Sequence, residues 1–369
     1  MSILDAHRDT LAMLAQRSRT RALIGRRGHD FASNDYLGLA GSDELRAAVG
    51  DALARGVAIG AGGSRLLRGN DPEHEALEAE AAAFFGSEAC LWFSTGFAAN
   101  SAIFSTLPAG RDLIIHDELI HASAHEGMKL GRATTMAVRH NEVQAFAEAI
   151  AGWRQAGHRG RVWIAVESLY SMDGDIAPIA ELSRLAERED AFLIIDEAHA
   201  TGIFGAEGRG LAAGIDGREN VVTLRTCGKA LGCEGALVCA PKVLTDILVN
   251  KARGFIFSTA PSPLMAAAVR ASLRLIATQP ERRGRLERLI AFAGEHLPAS
   301  GTQIVPVIIG DDAETMRIAA ILQERGFDVR GIRPPTVPSG TARLRISLTL
   351  NVDEAAIAAL AEAIKDARR

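Results

Sequence analysis

Between residues 70 and 240, short apolar runs alternate with amphipathic stretches, and this alternation most limits what the chain can fold into. The runs fall at 89–93, 112–115, 134–138, 162–166, 192–195, 221–225 and 236–239. Most are nearly unbroken in Val, Ile, Leu and Ala, as strands covered on both faces require. Amphipathic patterns at 142–153 and 179–187 read as helices between them. Alternating strand and helix signals predict an α/β domain built on a mainly parallel sheet. Asp71 and Pro72, followed by Glu73 and Glu75, mark a helix start: a capping carboxylate, Pro in the first turn, and acids facing the dipole. That helix should stop at Gly86.

Toward the C-terminus the pattern changes. Helical stretches at 263–277, 285–296, 313–325 and 353–366 accompany strand candidates at 302–309, 328–330 and 343–347. The expected organisation is an N-terminal arm over 1–50, a large α/β domain over 51–275 and a smaller α+β domain over 276–369. The arm, a helical stretch with a turn at 34–38, is expected to pack with the C-terminal part.

Composition narrows the partners. A formal net charge of -4 with no basic block gives no electrostatic reason to expect nucleic acid or an anionic membrane as partner. No apolar run reaches the roughly 18 residues of a membrane span. The charged start lacks the core of a secretory signal. The four cysteines make no CxxC pair and no zinc-spaced cluster, so no metal is expected. Free thiols in a cytoplasmic protein are the expectation.

Four polar segments follow strand candidates, where open α/β sheets gather ligands. Residues 94–100 place Ser94, Thr95 and Gly96 at a helix start, whose free N–H groups suit phosphate. Asp196-Glu197-Ala198-His199 follows the run 192–195. It matches a helicase ATP-binding strand, but no GxxxxGK[ST] loop accompanies it, so that reading fails. An Asp there can keep a heterocyclic nitrogen protonated, with His199 bonding the same ring. Thr226-Cys227-Gly228-Lys229 sets a lysine on a tight turn, where partial burial frees an amine for a Schiff base. Residues 167–175 carry acids and hydroxyls that could equally be a solvated turn. Gly60 to Ser64 is glycine-rich but follows no buried strand. Each segment alone has an ordinary explanation. Together they are what pyridoxal 5'-phosphate (PLP) needs: a phosphate cradle, a stacking imidazole, a carboxylate for the ring nitrogen and an amine for the aldehyde.

On these segments, with 31–39, His121-Ala122-Ser123 and the closing run 331–345, the chain resembles the α-oxoamine synthases, PLP enzymes of fold type I. The closing run is most similar to the branch that condenses L-alanine with a pimeloyl thioester, on CoA or acyl carrier protein. The lysine and Asp–His motifs are shared with glycine acetyltransferases and serine palmitoyltransferases. A non-catalytic regulator of the same fold is disfavoured, because no separate basic domain fits. The resemblance implies that Lys229 holds PLP and abstracts the α-proton, while Asp196 pairs with the ring nitrogen and His121 stacks on the ring. It assigns His199 and Ser171 to the ring oxygen and its surroundings. The Gly96 and Phe97 amides and the Thr226 hydroxyl would hold other cofactor groups, the amides facing phosphate. Arg345 would grip the amino-acid carboxylate, and Arg333 and Thr336 would line the acyl channel. Arg21 would contact the acyl donor, and Asn34 and Glu167 would lie near the reacting centre. The family fold implies a homodimer in which Ser258 and Thr259 reach the partner's cofactor. Cys227 and Cys233 depart from the family pattern and open the prospect of thiol side reactions with the aldehyde.

Overall fold

The computed structural model describes residues 2–369 and contains twelve strands among them. In chain order these are β1 (His29–Asp30), β2 (Ala89–Phe93), β3 (Leu113–Asp117), β4 (Thr134–Val138), β5 (Val162–Glu167) and β6 (Phe192–Asp196). There follow β7 (Val221–Thr226), β8 (Ala236–Ala240), β9 (Ile304–Gly310), β10 (Phe327–Asp328), β11 (Arg330–Ile332) and β12 (Ala342–Ser347). The chain divides into two compact units. One takes residues up to Tyr36, Met172–Gly174 and Arg285–Arg369, and the other takes Leu37–Ser171 and Asp175–Gly284.

The larger unit carries a seven-stranded sheet in the order β2-β8-β7-β6-β5-β3-β4. Every pairing from β7 through β4 is parallel, and β8 alone runs against its neighbours. The carboxyl ends of β2, β3, β5, β6 and β7 therefore share one edge. Burial explains why these runs are strands. All residues of β5 and β8 are buried, as a sheet with helices on both faces demands. Two apolar clusters sit against opposite faces, one around Phe104, Ile114 and Leu224, the other around Phe146, Ile164 and Leu182. Edge strand β4 is exposed along most of its length, unlike the other strands of the sheet.

The helix Pro72–Phe85 begins and ends where the sequence places it, with the Asp71 carboxylate accepting from the Glu73 amide and Gly86 in the left-handed region. One local expectation shifts: the helix read from 285 starts five residues earlier and spans Pro280–His296. The smaller unit holds the antiparallel sheet β11-β12-β9 and the parallel pair β1–β10, with the helices Asp312–Glu324 and Glu354–Ala367. Among the described residues no helix is long and apolar enough to cross a membrane.

Candidate active site

At the shared carboxyl edge of the large sheet, a cavity of about 190 Å³ is lined by Gly96, Phe97, Asn100, His121, Glu167, Asp196, His199, Thr226 and Lys229, with Ser123, Ala198 and Leu224. Each residue arrives from a strand end or from the turn or helix that follows. After β2, the Thr95 hydroxyl caps the helix Gly96–Thr106 by accepting from the Ala98 amide, 3.0 Å. The Gly96 and Phe97 amides lie in the first turn, where no intrahelical acceptor exists. They form an anion-facing helix start beside Thr226; a Cβ built on Gly96 would stand 3.6 Å from the Thr226 hydroxyl.

Lys229 sits on a turn pinned by backbone hydrogen bonds: the Cys227 amide donates to Gly235 O, the Cys233 amide to Cys227 O and the Gly232 amide to Lys229 O, each at 2.8 Å. Gly232 has φ +65°, and a Cβ there would come within 2.4 Å of the Ala40 amide nitrogen, so this turn requires glycine. The turn aims Lys229 Nζ at His199 Nε2, 2.6 Å away. Cys227 is fully buried, and burial pushes its thiol up, away from the reactive thiolate. The side reaction foreseen for Cys227 is thereby disfavoured.

The two acids of the Asp196–His199 segment divide between the faces of the sheet, as strand alternation demands. Asp196 turns to the cavity. Its Oδ1 accepts from the Ala198 amide at 3.0 Å and its Oδ2 from Asn100 Nδ2 at 2.8 Å. Glu197 turns away and is fully buried beside the Arg225 guanidinium, which forks onto both oxygens of Asp216 at 2.8 Å and lies 4.1 Å over the Phe85 ring. The sequence alone does not separate these roles.

Asn100 and Ser123 extend the site beyond the residues the sequence assigned. Asn100 Nδ2 also donates to Ser123 Oγ at 2.9 Å, and Ser123 Oγ lies 2.8 Å from His121 Nδ1. The Ser123 amide donates to the same Nδ1 at 3.2 Å, so that nitrogen is the acceptor and Nε2 carries the proton. Desolvation holds the His121 imidazole below its ordinary value; Asp196 pulls upward and Lys229 downward. A signal for Asn100 was present: it lies four residues after Gly96 and so shares its helix face.

Other expected site residues lie in the smaller unit. Arg345 is buried, donating to Ser347 Oγ at 2.7 Å and to the Tyr36 hydroxyl at 3.4 Å. That hydroxyl donates to Asn34 Oδ1 at 2.9 Å, which ties Asn34 to Arg345. A second cavity, of about 200 Å³, is lined by Leu14, Arg19, Arg21 and residues 331–336, and so holds Arg21, Arg333 and Thr336 together. Arg333 donates to the carbonyls of Ser18 and Thr20. Desolvation and the neighbouring Arg21 lower its pKa. Thr259 lies in the larger unit, outside the lining of the first cavity.

The larger unit's cavity offers an amine, a carboxylate with two donors, a helix start and the buried Glu167 Oε1, which has no partner in the protein. This donor set fits an aldehyde-bearing pyridine phosphate. The aminotransferase class I and II family matches residues 27–364, and the chain belongs to that family of PLP enzymes. An 8-amino-7-oxononanoate synthase from Anaeromyxobacter dehalogenans is 42% identical over 358 residues, covering 94% of this chain and 87% of the relative. Among solved structures, a serine palmitoyltransferase variant from S. paucimobilis with bound PLP–myriocin has a TM-score of 0.88 at 26% identity, covering 100% of this chain and 98% of that one. An 8-amino-7-oxononanoate synthase from Francisella tularensis has a TM-score of 0.75 at 29% identity, covering 92% of this chain and 97% of that one. The fold is PLP fold type I, and the cofactor is pyridoxal 5'-phosphate.

Proposed function

We propose that the chain catalyses the reaction of the 8-amino-7-oxononanoate synthases: L-alanine and a pimeloyl thioester condense with loss of carbon dioxide, a step of biotin biosynthesis. The carrying observation is the gathering of Lys229, His199, Asp196 and His121 around one cavity with a helix start. The choice of branch rests on the 42% identical relative. The serine palmitoyltransferases match the backbone more closely, but backbone similarity at 26% identity reports the fold and not the acyl chain.

When bound, PLP supplies an electron sink for the alanine α-carbon. Lys229 anchors the cofactor and moves the α-proton; the adjacent His199 nitrogen keeps the amine within a hydrogen-bonded pair. Asp196 is given to the ring nitrogen, its two oxygens oriented by the Asn100 and Ala198 donors. The Gly96 and Phe97 amides and Thr226 take the phosphate end. His121 presents its Nε2–H to the cavity. Arg345 is assigned to the substrate carboxylate, with Asn34 linked to it through Tyr36. The basic cavity of Arg19, Arg21 and Arg333 suits an anionic donor, either the ω-carboxylate of the acyl chain or the phosphates of its carrier.

A homodimer is part of the reading, with Ser258 and Thr259 given to the partner's site, and so is a cytoplasmic location, favoured by four free thiols. The test is product formation by the purified protein from L-alanine with pimeloyl-CoA and with pimeloyl-carrier protein, set against glycine with acetyl-CoA and serine with palmitoyl-CoA. A wide preference for alanine and pimeloyl donors is expected. A preference for either other pair overturns the branch and leaves the PLP chemistry standing.

A further inference from the structure

Strands β5 and β6 end side by side, with Glu167 paired in register with Asp196. Parallel register and strand alternation put both side chains on the cavity face. Glu167 is 2% exposed and Asp196 7%. Two carboxyl groups this close in a nearly dry site do not both stay ionised. The donors around them decide which keeps the proton. Asp196 accepts on both oxygens, from Asn100 and Ala198. Glu167 accepts on one, Oε2, from the Ser171 amide at 3.2 Å, and its Oε1 has no partner. The proton therefore belongs to Glu167. Because the Ser171 N–H occupies Oε2, the proton sits on Oε1. Desolvation and the Asp196 charge both push the Glu167 carboxyl far above its ordinary range, and Lys229 only partly opposes them.

The strand order says what this hydrogen faces. Asp196 on β6 lies between β7, which carries Thr226 toward the phosphate-facing helix start, and β5, which carries Glu167. In pyridoxal phosphate the phosphate arm and the phenolic oxygen lie on opposite sides of the axis from the ring nitrogen to the aldehyde carbon. With the ring nitrogen at Asp196 and the phosphate toward β7, the phenolic oxygen turns toward β5. We propose that Glu167 is a cofactor-contacting residue that stays a neutral carboxylic acid and donates a hydrogen bond from Oε1 to the phenolic oxygen of bound PLP. The proposal rests on the PLP assignment and adds to it a division of labour between neighbouring carboxyls, one anionic at the ring nitrogen and one neutral at the ring oxygen.

The experiment compares Glu167→Gln and Glu167→Ala with the unmodified protein by PLP binding and by pH titration of the bound cofactor's visible absorbance, without substrates. Glutamine preserves the arrangement: its carbonyl takes the Ser171 N–H and its amide N–H replaces the carboxyl hydrogen. Gln should bind PLP within about threefold of the unmodified protein. Ala should bind about tenfold more weakly and move the absorbance midpoint by about one pH unit, the size of one lost hydrogen bond. Gln as impaired as Ala, or Ala indistinguishable from the unmodified protein, overturns the proposal. Failure of the unmodified protein to take up PLP overturns the cofactor assignment instead. If Ala does not fold, Gln decides alone: in alkali the unmodified protein should lose PLP affinity as Glu167 ionises, while Gln keeps it, and a parallel loss in both refutes the idea.

Discussion

Lys229 Nζ and His199 Nε2 lie 2.6 Å apart, so an amine and an imidazole share one hydrogen bond and cannot both present a proton to it. A carbonyl taken up by the Lys229 nitrogen would have to compete with this hydrogen bond.

Borohydride reduction of the PLP-loaded protein should fix the cofactor on Lys229, located by peptide mapping. Lys229→Ala should still bind PLP, but dialysably, and should lose roughly 10³-fold or more in turnover as anchor and proton carrier vanish together. An adduct on another lysine would contradict the site.

Asp196→Asn should retain the fold and lose about a hundredfold or more in kcat, because an amide cannot hold a pyridine nitrogen protonated. Steady-state rates with cofactor in excess provide the check. Near-normal turnover would reduce Asp196 to a helix cap.

A pH effect on stability centres on His140. Its Nδ1 contacts Asp117 Oδ1 at 2.9 Å and its Nε2 contacts Asp175 Oδ2 at 2.6 Å, with the Tyr170 ring edge-on at 4.5 Å. Desolvation opposes the charge, but the two carboxylates outweigh it and raise the imidazole from 6.5 to about 10. A raised folded-state pKa means this clamp stabilises fully below pH 6.5 and loses its effect as pH climbs through about 10. Asp117, lowered by His140 against its desolvation, works in the other direction, and its share is lost in acid. Urea midpoints should fall between pH 7 and 10 in the unmodified protein, with a much flatter profile in His140→Gln. That variant should also lose about 1–3 kcal/mol at neutral pH. Identical pH profiles would remove His140 from the account.

Arg333→Ala should narrow the preference for a pimeloyl donor over acetyl-CoA. A lost charge-assisted contact costs about 1.5–3 kcal/mol in kcat/KM with the anionic chain and little with a plain one. Arg333 already donates to the Ser18 and Thr20 carbonyls, so the variant also loosens the arm that carries Arg21. Adding Arg21→Ala to the series separates the two effects: further loss confined to the pimeloyl donor marks direct recognition. Equal losses with both donors would refute it.

Much of the large sheet was legible, because runs such as 162–166 and 236–239 are apolar throughout and only burial on both faces explains that. That Lys229, Asp196 and His199 would meet at one edge of the sheet was legible because each follows a strand candidate. Helix spacing from Gly96 hinted at Asn100, but its partner was hidden, because Asn100 reaches Asp196 across 96 positions of sequence. The division between Asp196 and Glu197 was equally silent, because both are acids and only the pleat decides which faces the cavity.

The sheet order carries a consequence for how the molecule comes into being. Among the described strands β2 pairs only with β8, so Cys90 waits for Cys239, 149 positions later, with sulfurs 3.8 Å apart once they meet. A chain leaving the ribosome can pair β3 with β4 early. The strand that leads into the helix Gly96–Thr106 has no paired strand until residue 240 has emerged. High contact order of this kind slows folding. The helix start at Gly96 therefore rests on a pairing that cannot close until β8 has been made.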